Sequence, residues 1–193
     1  MTLYFVTGNP GKLLEAQNVL GHFGVEVRGA QADFDEPRSD DLAQIARAKV
    51  RQAAAQKVPA PFFVQDAGFF IDALRGFPGT NVNFVLRTIG VEGIAKLMAG
   101  EQDRRCRFRQ CVAYWDGEEI RLFSSETAGS VAQALRGGDR PEQKSPLWRL
   151  FIPDGAEKTT AEFTQEELNA FILQDGRALT ELGRFLQEKE RKD

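Results

Sequence analysis

One histidine and two cysteines in 193 residues leave little material for several large classes of chemistry. A Ser–His–Asp or Cys–His nucleophile would have to rest on His22 alone, just past the first helix-like pattern. Cys106 and Cys111 stand at an odd separation in a strand-like stretch, which puts them on opposite faces. That spacing argues against a disulfide between them, matches no zinc pattern, and fits a reduced, cytoplasmic setting. An excess of one charge is missing too: 25 Lys and Arg against 28 Asp and Glu leave a net charge of −3. A chain with no basic surplus has little with which to neutralise a polymer's phosphates, which argues against broad nucleic-acid binding. It does not argue against a single nucleotide, which needs only a few local cations. No apolar run is long enough to span a bilayer, and no basic region followed by an apolar stretch opens the chain. Neither a membrane partner nor a secretory leader is expected. Repeats and low-complexity linkers are also lacking, so one α/β domain over residues 1–193 is the simplest architecture.

Within that frame, strand-like and helix-like patterns alternate. Leu3–Val6 reads as a strand and Lys12–Leu20 as a helix stopped by Gly21, with a short strand in VEVRG. After an acidic loop, Ser39, Asp40 or Asp41 can cap a helix whose periodic face carries Leu42, Ile45, Ala46 and Lys49. The bulky run PFFVQDAGFFIDAL reads as a buried strand pair, broken by RGFPGT. NVNFVLRTIGVEGIAKLMAG is helical in two pieces, and Asp116-Gly117 turns a hairpin between two long strands. A Gly/Pro/Arg loop from Arg136 to Pro146 precedes two closing helices, near Gln165–Leu168 and from Arg177 to about Lys189.

Three segments carry polar residues that packing alone would not ask for. The first is Thr7-Gly8-Asn9-Pro10-Gly11-Lys12, between a strand and a helix. It is not a Walker loop: only two residues separate Gly8 from Gly11-Lys12, and Leu13 follows the lysine. A strand, a glycine turn and a helix N-terminus still form an anion-binding combination. The same stretch also reads as an ordinary connection, with Asn9 as cap and Lys12 solvated. The second is Glu36 in its acidic loop, with Lys49 on the next helix. The third is Asp66, where a strand would fix a carboxylate and a loop expose it. Singly, each fits a bland role: a solvated acid, a snorkelling lysine, a turn cap. Together, carboxylates for a hard cation and lysines for phosphate oxygens point to metal-assisted phosphoryl or nucleotidyl chemistry rather than acyl transfer.

The segments FVTGNPGKLLEAQNVL, DEPRSDDLAQIARAKV, QDAGFFIDALRGFPGT and RTIGVEGIAKLMAG, in that order, resemble the inosine triphosphate pyrophosphatase family. FIPDGAEKTTAEFTQEELNA fits that family's C-terminal lobe, so the resemblance covers nearly the whole chain. It implies an elongated, strongly twisted mixed β-sheet flanked by helices, with two lobes, a central cleft and a homodimer. It implies Mg²⁺-dependent hydrolysis of non-canonical purine nucleoside triphosphates to monophosphate and pyrophosphate. Carried over position by position, Thr7, Gly8, Asn9 and Lys12 match the triphosphate loop. Glu36 and Asp66 match the metal-binding acids, Lys49 a phosphate contact, and Asp66 the acid that activates water.

This chain departs from the family pattern in places. Gln65 replaces an acid before Asp66, and Ala67 replaces a substrate-facing hydroxyl. Where the family reads its purine with FGYDP or FGWDP, the chain has Ser145-Pro146-Leu147-Trp148-Arg149, with Trp148 at the aspartate position. The SHR box aligns with Leu173-Gln174-Asp175, and a slip of one or two residues offers Arg177 instead. Leu168 stands where a lysine is usual. The phosphate and metal half is thus mostly kept and the base-reading half largely replaced. The expectation is a nucleoside triphosphate pyrophosphatase with altered base specificity; the alternative is a weak or inactive nucleotide-binding paralogue on the same scaffold.

Overall fold

The computed structural model describes residues 1–35, 37–138, 143–174 and 177–191. Strand β1 (Thr2–Val6) leads into helix α1 (Pro10–Gly21), which starts where Asn9 Oδ1 accepts the Lys12 amide at 3.0 Å and Pro10 presets the first turn. Strand β2 (Glu26–Ala30) runs parallel to β1, Leu3 opposite Val27. Helix α2 (Leu42–Ala55) is capped by Asp41, whose Oδ1 accepts the Ala43 amide at 2.8 Å. Strand β3 (Phe62–Ile71) pairs parallel with β1 and antiparallel with β4 (Pro78–Gly79). Helices α3 (Val82–Thr88) and α4 (Gly90–Leu97) precede the long strands β5 (Arg105–Trp115) and β6 (Ile120–Val131). The chain closes through β7 (Phe151–Pro153), α5 (Gln165–Ile172) and α6 (Ala178–Glu190). The sheet order is β2-β1-β3-β5-β6-β7, with β4 added on β3, so the architecture is a mixed sheet flanked by helices, of the α/β class.

The expected strand pair over residues 61–74 is instead one ten-residue strand, β3, followed by a short 3₁₀ turn at Asp72–Leu74. No turn residue interrupts the run except Gly68. There, an added Cβ would come within 2.8 Å of the Gly79 carbonyl, so this glycine marks the close approach of β4 rather than a reversal.

Residue contacts divide the chain into two compact units: Met1–Asp66 with Gln110–Ser125 and Ile172–Asp193, and Ala67–Arg109 with Glu126–Phe171. In the first, Leu42, Ala46, Val50 and Ala53 of α2 pack on Phe62, Val64, Cys111 and Ala113. Phe5 and Phe63 stack at 4.2 Å between ring centroids. In the second, Phe69, Ile94, Met98, Cys106, Leu147 and Phe151 form the core. Arg104 binds it together by donating to the carbonyls of Met98, Val131 and Ala132 at 2.6–3.0 Å.

Both cysteines are buried free thiols. Burial pushes the Cys106 thiol up from an ordinary 9.0 to about 12 and raises Cys111 as well. Native protein at pH 8 should therefore leave both unreacted toward a disulfide reagent, and denatured protein should release two thiols. Reaction of the folded chain at the rate of a free thiol would contradict the burial. The sign for stability follows: above pH 9 the unfolded chain sheds thiol protons that the folded chain keeps. This stabilisation is complete below 9 and is lost as pH rises toward about 12.

Candidate active site

Strand alternation decides which β3 side chains face α2. Phe62 and Val64 lie in the core that α2 covers, so Asp66, two positions on, faces the same way. Lys49 sits on the buried stripe of α2 with Ile45, Ala46 and Val50. Its Nζ donates to Asp66 Oδ1 at 2.5 Å, and each residue is only 8 % exposed. The ring of Phe34 lies 5.6 Å from the same ammonium. Asp66 Oδ2 is buried and has no hydrogen-bond partner among the described residues. A buried carboxylate oxygen left this way is costly unless something binds it.

The loop after β1 belongs to the same unit. The Thr7 amide donates to the Ala30 carbonyl at 3.1 Å, and Thr7 Oγ1 accepts the Asn9 amide at 3.1 Å. These bonds shape the turn, and the Asn9 cap then orients the first turn of α1. Lys12 Nζ reaches the Gln65 carbonyl at 3.1 Å, which brings the loop lysine to the residue beside Asp66. Gly8 is exposed, has no left-handed φ, and a Cβ built on it meets no heavy atom within 4 Å. The protein's own packing therefore does not require a glycine there. Backbone approach by a ligand would.

Gln65 points to the opposite face of β3, where its Nε2 donates to Gln110 Oε1 at 3.2 Å. Its own Oε1 is buried without a hydrogen-bond partner among the described residues. Arg177 lies at the N-cap position of α6, 9 % exposed. Burial holds its guanidinium below the ordinary value, opposed by the carboxylate of Glu15 on α1. Thr7, Gly8, Asn9, Lys12, Lys49, Asp66 and Arg177 thus all fall in the first unit. Glu15 and Gln110 were not anticipated. Glu15 had a signal, since it shares the buried stripe of α1 with Ala16 and Val19; Gln110, inside a long strand, had none.

The remaining expected residues lie elsewhere. Ala67 and Trp148 belong to the second unit. Ala67 is half-buried and offers a methyl where the family pattern has a hydroxyl. Trp148 is 6 % exposed, in a 3₁₀ turn (Pro146–Arg149) capped by Ser145 Oγ. Its carbonyl accepts Thr160 Oγ1 at 3.2 Å, and Lys144 Nζ stands 5.7 Å from its ring centroid. Glu36 lies outside the described residues, as do Asp175 and Gly176 of the region aligned with the SHR box.

Asp66 suits a hard cation: a fixed carboxylate with one uncommitted oxygen. Among the described residues no three His, Cys, Asp or Glu side chains cluster as metal ligands. One or two acids completed by substrate phosphates is the usual pattern for Mg²⁺.

A family model matches residues 3–185. The chain belongs to the Ham1 family. Its relatives include the dITP/XTP pyrophosphatase of Thermococcus kodakarensis, 41% identical over 192 residues, covering 97% of this chain and 98% of that protein. The dITP/XTP pyrophosphatase of Pyrococcus horikoshii is 39% identical over 183 residues, 93% of each chain. Among solved structures, a Ham1 protein from Coxiella burnetii aligns with a TM-score of 0.78 over 97% of this chain and 99% of its own, at 22% identity. The Staphylococcus aureus Ham1 protein gives 0.77 over 98% and 100%, at 20% identity. These two Ham1 structures share the fold. The family assignment drawn from the TGN..K loop and the QDAG segment stands.

Proposed function

We propose that this chain hydrolyses non-canonical purine nucleoside triphosphates, of the dITP and XTP kind, to the monophosphate and pyrophosphate. The observation that carries this reading is the buried Asp66, with one oxygen on Lys49 and the other without a partner among the described residues, in the same unit as the Thr7–Lys12 loop. The names of the T. kodakarensis and P. horikoshii relatives support it. That arrangement also favours catalysis over the non-catalytic alternative, which gives no reason for an uncommitted buried carboxylate.

In this reading the Thr7–Asn9 turn and the first turn of α1 receive the triphosphate, with Lys12 drawn from the Gln65 carbonyl to a phosphate oxygen. Asp66 takes a proton as water attacks the α-phosphorus; the new O–P bond forms as the bond to the bridging oxygen breaks, and pyrophosphate leaves. Lys12 and Lys49 stabilise the charge gathering on the leaving group. Glu36 and Asp66 would hold Mg²⁺, which supplies further charge neutralisation when bound. Arg177, buried near the start of α6, would contact the base, and Trp148 is a further substrate contact proposed from its place in the sequence pattern alone. With the FGYDP and SHR patterns replaced, base discrimination should be relaxed, because missing polar partners are what discrimination costs.

A panel of ribo- and deoxynucleoside triphosphates with Mg²⁺, followed by pyrophosphate release, tests this. The expected result is turnover of dITP and XTP with measurable turnover of canonical purines. No turnover of any nucleotide would refute the activity, and strict confinement to ITP, dITP and XTP would refute the relaxed specificity. In ¹⁸O-water the label should appear in the monophosphate; label in pyrophosphate would place the attack at another phosphorus.

The working unit is proposed to be residues 1–193 folded as a single Ham1-type domain, cytoplasmic, and paired as a homodimer. No described helix is long and apolar enough to cross a membrane. Phe77, Phe84, Ile89 and Leu97 of the second unit are exposed, Phe84 to 59 %, and a second copy would cover Phe84. Sedimentation should give twice the mass of one chain, and Phe84→Glu should shift it toward one. A wild-type monomer at micromolar concentration would refute the dimer.

A further inference from the structure

The proposed reaction needs Asp66 and Lys49 to act on different partners, yet in this structure they hold each other. We propose that Lys49 gates Asp66: it keeps the carboxylate until a polyphosphate draws the ammonium away, so a divalent cation binds together with the nucleotide rather than before it. The inference rests on the pyrophosphatase reading and specifies its substrate as the metal–nucleotide complex.

The geometry argues this from both sides. A cation seated on Asp66 Oδ2 would face an ammonium only 2.5 Å from the sister oxygen, in a site both residues share at 8 % exposure. Such repulsion is poorly screened. Neighbouring Gln65 adds no charge to offset it. Conversely, lifting Lys49 away without a replacement strips a buried carboxylate of its counter-ion, which buried pairs strongly resist. Neither move is favourable alone; exchanged together, ammonium to phosphate and carboxylate to metal, each charge keeps a partner. Lys49 has the means, a flexible four-carbon stem rising from the buried stripe of α2. The exchange also releases Oδ1, so one carboxylate oxygen can hold the cation while the other accepts the water proton. Linkage makes the effect reciprocal: whatever the nucleotide adds to metal affinity, the metal adds to nucleotide affinity.

The test measures Mn²⁺ binding to the full chain without nucleotide, from the loss of the free-ion paramagnetic signal. Lys49→Met should bind Mn²⁺ about tenfold or more tightly than wild type, with circular dichroism confirming the fold. Lys49→Gln, also neutral but polar, serves if the methionine variant fails to fold. Lys49→Arg keeps the charge and should bind as weakly as wild type. Adding Asp66→Asn to the neutral variant should erase the gain. Folded neutral variants with wild-type affinity would overturn the gate, as would a gain that Arg shows equally or that survives Asp66→Asn. Pyrophosphate release from dITP by the same wild-type preparation separates the two ideas. Hydrolysis without a metal gain refutes only the gate; a metal gain without hydrolysis of any nucleotide refutes the pyrophosphatase reading and leaves the Lys49–Asp66 competition standing.

Discussion

Asp66→Asn should lower turnover of dITP by about 10³-fold or more, since a positioned proton acceptor contributes roughly 10²–10⁴. It should also destabilise the protein, which separates it from a simple loss of a surface acid. The amide removes the negative charge from the buried Lys49–Asp66 pair, and removing one partner of such a pair costs about 3–5 kcal/mol. For a chain of this size that corresponds to a fall in Tm on the order of 6–20 °C. Combining Asp66→Asn with Lys49→Met removes both charges and should recover most of the lost Tm without recovering activity. The double-mutant cycle thus divides the pair's structural contribution from the catalytic one. Near-normal turnover by a folded Asp66→Asn protein would refute the assigned role. Unchanged Tm in the single variant would mean that the ammonium keeps a partner or reaches solvent with little cost.

Gly8→Val should do the reverse: a large loss in substrate use with almost none in stability. No heavy atom beyond its chain neighbours lies within 4 Å of a Cβ at this position and its φ is not in the left-handed region, so the loop as folded has room for a Cβ and little packing for a valine to disturb. Changes at open surface positions fall within about 0.5 kcal/mol, and reduced freedom of the unfolded chain can even stabilise slightly. The isopropyl group would, however, occupy the space that phosphate oxygens must cross to reach the backbone before α1. The expected outcome is a rise in KM of about tenfold or more, or roughly 1.4 kcal/mol of lost binding, with Tm unchanged. Calorimetry with an α,β-methylene nucleotide and a thermal scan would measure both. Full affinity in the valine variant would mean that the triphosphate does not approach this turn. Gly68 makes a useful contrast. There a Cβ would collide with the Gly79 carbonyl at 2.8 Å, so Gly68→Ala should cost stability.

Much of the architecture was legible because it is written in local chemistry. The cap candidates Asn9 and Asp41 mark the starts of α1 and α2, although α1 begins at Pro10 rather than at Lys12, and Asp116-Gly117 separates β5 from β6. The misreading of residues 61–74 has a physical cause. A strand buried on both faces loses its alternation, so length and composition could not tell one long strand from two short ones. The outcome turned on the pairing of β3 with β1 on one side and with β4 on the other.

From the sequence alone came the α/β class, the TGN..K loop as a phosphate candidate, the shortage of histidine and cysteine that removes rival chemistries, and the family. Tertiary structure alone decided that Lys49 meets Asp66 rather than water, that Lys12 is tied to the Gln65 carbonyl, and that Arg177 is buried beside Glu15. The division has a simple origin. Turns, caps and motifs act over a few residues and leave a mark at fixed spacing. The partner of a charge is chosen by the packing of α2 on β3 and of α1 near α6, across separations that no local pattern records.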